Sequence, residues 1–273
     1  MRYRRIEDVK RLGHPVIDCH VHVRAEHGDP AGKLDVPHCD GIVEANAKLG
    51  ITLSCVIDLN VTGAQPYAMF HRANDRAAAA VARHPNHMRA WCFVNPGDPR
   101  AMEEIEQRVR DENFIGVKLY NQHRIDEPTL APILERCAAW GVPVLAHAGR
   151  PNDTETRARQ PKISDASHFA AAARKHPDTM IIEAHLGGGG DWEWALKYLR
   201  NAPSVYVDIA GSVVDEDLMD RAVEAIGADR LLFATDMTCE GSMAKALDTD
   251  LSDEEFSGLM GGNFQKILDR RAI

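Results

Sequence analysis

The sequence predicts a single (β/α)8 barrel, on three observations. The chain has 273 residues, close to the ~250 typical of that fold. Short apolar, β-branched runs alternate with longer segments of helical spacing along its whole length. Side chains of the metal-ligand type fall at the carboxyl ends of those runs, and in a barrel the loops that follow the strand ends gather around one mouth. An open doubly wound sheet is the competing architecture. No linker or break in composition divides the chain, so residues 1–273 read as one domain.

The eight runs are 16–23, 51–59, 88–94, 114–120, 142–147, 180–185, 205–209 and 231–236. Helical candidates lie between them at 41–49, 68–83, 101–110, 129–139, 166–175, 191–200 and 215–225, and a last one follows at 262–269. Ser164 or Asp165 is placed to cap the fifth helix, while Gly50 and Gly141 follow the first and fourth, as helix ends require. Strict alternation implies a parallel sheet, because parallel neighbours need a crossover between them.

With 44% hydrophobic and 27% charged residues, the chain has the make-up of a globular protein with a large core; disordered, collagen-like and disulfide-scaffold readings are excluded. A net charge of −9 offers no global field for a nucleic acid backbone or an anionic membrane. Six dispersed cysteines form no CxxC pair and read as reduced thiols. There is no apolar leader and no run of ~18 apolar residues. The expectation is a soluble, cytoplasmic and complete chain.

His20 and His22 close the first run, Lys118 nearly closes the fourth, His147 the fifth, His185 the sixth and Asp236 the eighth. Residues i and i+2 of a strand share a face, so His20 and His22 present two imidazoles to one side, as a divalent ion requires. A single buried histidine is more often a hydrogen-bonded core residue, a lysine can snorkel and a terminal aspartate can cap a helix. Five strand ends of one barrel delivering such side chains together point instead to a metal centre. By the same parity Asp18 and Glu183 would lie deeper on the ligand face, as hydrogen-bonded carboxylates or orienters of a ligand. His14, His71, His84, His87 and His176 read as structural or solvated. Residues 187–190 read as a loop, lacking the dinucleotide fingerprint.

The segments HVH at 20–22, VKLY at 117–120, VLAHAG at 144–149, EAHLGG at 183–188, FATD at 233–236 and GGNFQKIL at 261–268 resemble the amidohydrolase superfamily, in its amidohydrolase-related branch. The likeness covers residues 16–268. It implies a barrel holding one or two divalent ions, with His20, His22 and Asp236 around the more buried one and His147 and His185 around the second. Lys118 matches the lysine that, carboxylated by CO2, bridges the ions of binuclear members; a free ammonium has no lone pair for a metal, whereas a carbamate offers two oxygens. Mixed imidazole and carboxylate donors suit zinc first, with iron, manganese, cobalt or nickel also compatible. The resemblance also leans toward a homo-oligomer.

The expected activity is that of a metal-dependent hydrolase. Metal-bound hydroxide, available near neutral pH, attacks an ester, thioester, lactone or amide carbonyl, with Asp236 as general base and acid and His185 beside it. The alternative is a metal-dependent decarboxylase or hydratase of an aromatic or unsaturated acid, a class the same branch contains. Arg24, His123, Arg124, Arg150, Arg157, Arg159 and Lys162 cluster on the catalytic loops and suggest a small anionic substrate. Arg150 is the preferred anchor for it, with Arg24 in support and Tyr120 above Lys118 as a donor to an oxyanion.

Overall fold

The computed structural model describes residues 4–59, 65–186 and 192–273. The strands are β1 (Ile17–Val23), β2 (Leu53–Asp58), β3 (Met88–Ala90), β4 (Cys92–Phe93), β5 (Val117–Leu119), β6 (Val144–Ala146), β7 (Ile181–Glu183), β8 (Val205–Asp208) and β9 (Leu231–Leu232). All pair in parallel in sequence order, β1 to β3 in one stretch and β4 to β9 in another. The expected third strand occupies both β3 and β4: Trp91 N donates to Val56 O at 3.1 Å and Cys92 N to Gly116 O at 2.9 Å, so one strand passes from neighbour β2 to neighbour β5. At the other seam Cys19 N donates to Phe233 O at 3.1 Å and Asp236 N to His20 O at 2.8 Å, linking β9 back to β1. Parallel strands, helical crossovers and both seams give the expected barrel.

The helices are α1 (Ile6–Lys10), α2 (Val36–Leu49), α3 (Tyr67–Arg83), α4 (Ala101–Ile105), α5 (Ala131–Trp140), α6 (Thr154–Arg159), α7 (Ala166–Lys175), α8 (Trp192–Leu199), α9 (Leu218–Ile226), α10 (Cys239–Asp248), α11 (Asp253–Ser257) and α12 (Asn263–Leu268). Asp165 caps α7 by accepting from Ser167 N at 3.0 Å, and Gly50 and Gly141 take positive φ after α2 and α5, as the sequence predicts. The expected loop at 187–190 and the start of the 191–200 segment lie outside the described residues. Among those described, no helix is long and apolar enough to cross a membrane.

Two apolar layers follow from strand alternation. Val21, Val56, Val117, Val144, Ile181 and Val207 pack outward against the helices, while Ile17, Cys19, Ile57, Phe93, Leu145, Ile182 and Leu232 fill the barrel. Lys118, His147 and Asp208 have the inward parity. The register between β1 and β2 shifts between Asp18 and Val21, one extra residue on β1 that forms a bulge. Cys19 and His20 therefore both face inward and Asp18 faces out, contrary to simple parity. Asp18 instead accepts from Thr235 N at 3.0 Å and Thr235 Oγ1 at 2.6 Å. Glu183 likewise falls on the outer face, between inward Ile182 and Ala184.

Candidate metal centre

Three backbone devices aim the site. The β1 bulge brings His20 inward, and alternation past it carries His22 to the same side. After β7, His185 takes φ 65° and turns back to the mouth, and after β9 Asp236 takes φ 44° and Met237 φ 66°. Left-handed conformations in non-glycine residues cost of order 1–3 kcal/mol each and gather at functional sites. Here the one at His185 moves a side chain that a continued strand would have placed on the outer face.

The imidazoles are held with defined nitrogens toward the centre. Asp208, buried at the end of β8, accepts from His20 Nδ1 at 2.9 Å and, through its other oxygen, from His185 N at 2.8 Å. His22 Nδ1 donates to Ile57 O at 3.4 Å. A carbonyl and a carboxylate only accept, so both rings carry hydrogen on Nδ1 and turn a bare Nε2 inward. His22 Nε2 lies 2.6 Å from Asp236 Oδ1 and His20 Nε2 3.8 Å from it. His147 Nδ1 and His185 Nε2 approach to 3.1 Å, and His185 Nδ1 points toward Asp236 Oδ2 at 3.5 Å. Lys118 Nζ, fully buried, donates to His20 Nε2 at 3.0 Å.

These distances bring His20, His22, Lys118, His147, His185 and Asp236 into one constellation. Burial, and next the nearby Lys118 ammonium, push His20 well below the usual imidazole range; burial and then His185 do the same to His147. Neutral rings are the ligating form. Burial also presses on Asp236, but the close approach of His22 and the surrounding imidazoles outweigh it and hold its carboxyl well below the usual range. Burial lowers Lys118 to about 8 against the opposing pull of Asp236 and Asp208.

The donor set fits a divalent ion. Ligand atoms of His20, His22 and Asp236 lie within 4.8 Å of one another. Bare Nε2 and carboxylate lone pairs face each other across a point that needs positive charge, and His185 Nδ1 is buried without a hydrogen-bond partner. A second group of His20, His185 and Asp208 also meets the distance criterion, but Asp208 is occupied in orienting His20 and the His185 backbone, the usual task of a carboxylate behind a ligand. Asp208 is the site residue that sequence reading missed; its signal was the aspartate next to last in the run 205–209.

The expected substrate anchors have the following surroundings. Arg24 Nε donates to Asp35 at 2.9 Å, and Arg24 is exposed. Arg150 lies over the Trp194 ring at 4.0 Å. Arg159 pairs with Glu155, Lys162 and His123 with Glu127, and Arg124 and Arg157 donate to backbone carbonyls. Much of the basic cluster is thus committed to partners on the loops themselves. Tyr120 stacks near His147, ring centres 4.3 Å apart.

A parallel barrel with an imidazole and carboxylate pole at the carboxyl ends of its strands defines a class of metal-dependent enzyme. The chain belongs to the amidohydrolase family, whose model matches residues 17–270. It is 26% identical over 248 residues to a gamma-resorcylate decarboxylase of Polaromonas sp. (strain JS666), covering 72% of this chain and 75% of the relative. Two solved structures share the fold. One is a dihydroxybenzoic acid decarboxylase from Polaromonas sp. JS666 with bound manganese and the inhibitor 2-nitroresorcinol (TM-score 0.71, 21% identity, 95% of this chain and 98% of that one). The other is a 4-oxalomesaconate hydratase from Rhodopseudomonas palustris (TM-score 0.68, 14% identity, 93% and 96%).

Proposed function

We propose that the chain is a metal-dependent decarboxylase of a small hydroxylated aromatic acid. This reverses the order expected from sequence, where hydrolysis stood first. The observation that carries it is the match to a gamma-resorcylate decarboxylase across 72% of the chain, joined to a donor set suited to a divalent ion. Manganese and zinc both suit such donors, and the manganese of the Polaromonas structure supports the former. Held by His20, His22 and Asp236, the ion would supply positive charge to hold an anionic substrate.

The chain's own groups carry the rest. Asp208 fixes His20, and the Ile57 carbonyl fixes His22. Asp236, ionised at rest, relays a proton from solvent water to the ring carbon that bears the carboxylate. The bond from that carbon to the carboxylate then breaks, its electron pair returns to the ring, CO2 leaves, and Asp236 is ionised as it began. His147 and His185, paired through one hydrogen bond, border the same space.

Hydrolysis of an ester, thioester, lactone or amide is the second reading, and Lys118 is what favours it. Its buried Nζ beside His20 stands where a carboxylated lysine would join a binuclear centre.

The test is CO2 release and resorcinol formation from 2,6-dihydroxybenzoate by the manganese- or zinc-loaded enzyme. Asp236→Asn should lower kcat by roughly 10²–10⁴-fold. Absence of CO2 from hydroxybenzoates, together with consumption of esters or lactones, would replace the decarboxylase reading with the hydrolytic one.

A further inference from the structure

A cavity of about 320 Å³ opens directly on the centre, with His147, His185 and Asp236 at one end. It is near the lower limit for ligand sites and so suits a single small ring. Ile163, Leu186 and Val213 give it apolar walls, and no lysine or arginine stands among the described residues that line it. The part of a substrate that fills it, away from the metal, is therefore uncharged.

One wall residue is set apart by its hydrogen bonding. Thr238 Oγ1 donates to Thr235 O at 2.7 Å, and the Thr156 hydroxyl is engaged with Asp153. Gln160, at the end of α6 where its backbone N–H donates to Thr156 O at 2.9 Å, lines the same cavity. Its Oε1 is buried with no donor at hydrogen-bond distance, and the His147 ring is the neighbour its side chain faces. Buried acceptors are normally satisfied, and one left open in a ligand cavity awaits a donor from the ligand.

We propose that Gln160 determines specificity, its Oε1 accepting a hydrogen bond from a hydroxyl or N–H group on the uncharged end of the substrate. The identification of that group as a ring hydroxyl rests on the decarboxylase reading; the role of Gln160 as acceptor rests on the cavity alone. A site built to pair with a hydroxyl rejects the analogue that lacks it, because the protein group is then stranded.

The experiment uses two unreactive probes, resorcinol and 1,3-dimethoxybenzene, titrated calorimetrically into the metal-loaded protein. Resorcinol should bind the wild-type protein about tenfold more tightly, the usual worth of one such bond. Gln160→Leu should erase that preference, and Gln160→Glu, which keeps an acceptor in place, should retain it. Equal binding of the two probes to wild type, or an unchanged ratio in Gln160→Leu, overturns the proposal. Should Gln160→Leu fail to load metal, Gln160→Met takes its place with the same expectations. Because neither probe reacts, a wild-type enzyme that releases no CO2 removes the functional reading while the binding ratio still decides the role of Gln160.

Discussion

Asp208 controls which nitrogen of His20 faces the centre. Its Oδ2 accepts from His20 Nδ1 and its Oδ1 from the His185 backbone and from Ala210 N at 3.1 Å. In Asp208→Asn the amide oxygen can still serve the two backbone groups, but an NH2 then meets Nδ1–H. The ring escapes by moving its proton to Nε2, which removes the lone pair offered to the metal. Metal affinity should fall roughly 10–100-fold, as is usual for loss of an orienting carboxylate, with the melting profile of the metal-free protein little changed. Chelator competition measures this, and an affinity equal to wild type would leave Asp208 without the assigned role. The ligand-type residues themselves were legible because each ends an apolar run. Asp208 stands next to last in one, yet an orienting carboxylate has no spacing motif of its own. The misplacement of Asp18 and Glu183 has another cause: parity counting cannot see the extra residue on β1 or the turn at His185, since both are set by tertiary fit.

At the scale of elements, long helices were easier to read than short ones. The segment 166–175 matches α7 at both ends, and 68–83 differs from α3 by one residue, because several turns of amphipathic spacing and a cap fix such elements. α1, α6 and α11, of five, six and five residues, have too few turns to show a period. Between α3 and α4 the sequence also hid a polar junction. Glu104, fully buried, accepts from His71 Nδ1 at 2.8 Å, Asn74 Nδ2 at 2.9 Å, Arg108 Nε at 2.8 Å and the Tyr67 hydroxyl. Burial disfavours its charge, but the four donors prevail and hold it at about 2, below its ordinary 4.5. The unfolded chain therefore takes up this proton first as pH falls from 4.5 toward 2, so the stabilisation is complete above that window and lost through it. Glu104→Gln should lower Tm at pH 7 and flatten the fall in Tm between pH 5 and pH 3. Thermal melts across that range decide it; an acid limb as steep as that of wild type would discharge Glu104 from the role.

Across the whole molecule, the proposed metal centre would double as a fastening for the barrel. Its donors come from β1, the end of β5, and the turns after β6, β7 and β9, and the backbone bonds between His20 and Asp236 lie at the seam where the last strand meets the first. In the unfolded chain these groups are separated by long stretches of sequence and cannot converge on one ion. Binding is therefore restricted to the folded state and stabilises it by mass action. At a free metal concentration about a hundredfold above Kd the gain is about 2.7 kcal/mol, which for a domain of this size raises Tm by roughly 5–10 °C. Manganese or zinc added to chelator-treated protein should produce that shift, rising with the logarithm of metal concentration. His22→Ala, which deletes a donor near the mouth and leaves the barrel core intact, should lose most of it. A melting temperature indifferent to metal in the wild-type protein, or an equal shift in His22→Ala, would separate the constellation from metal binding altogether.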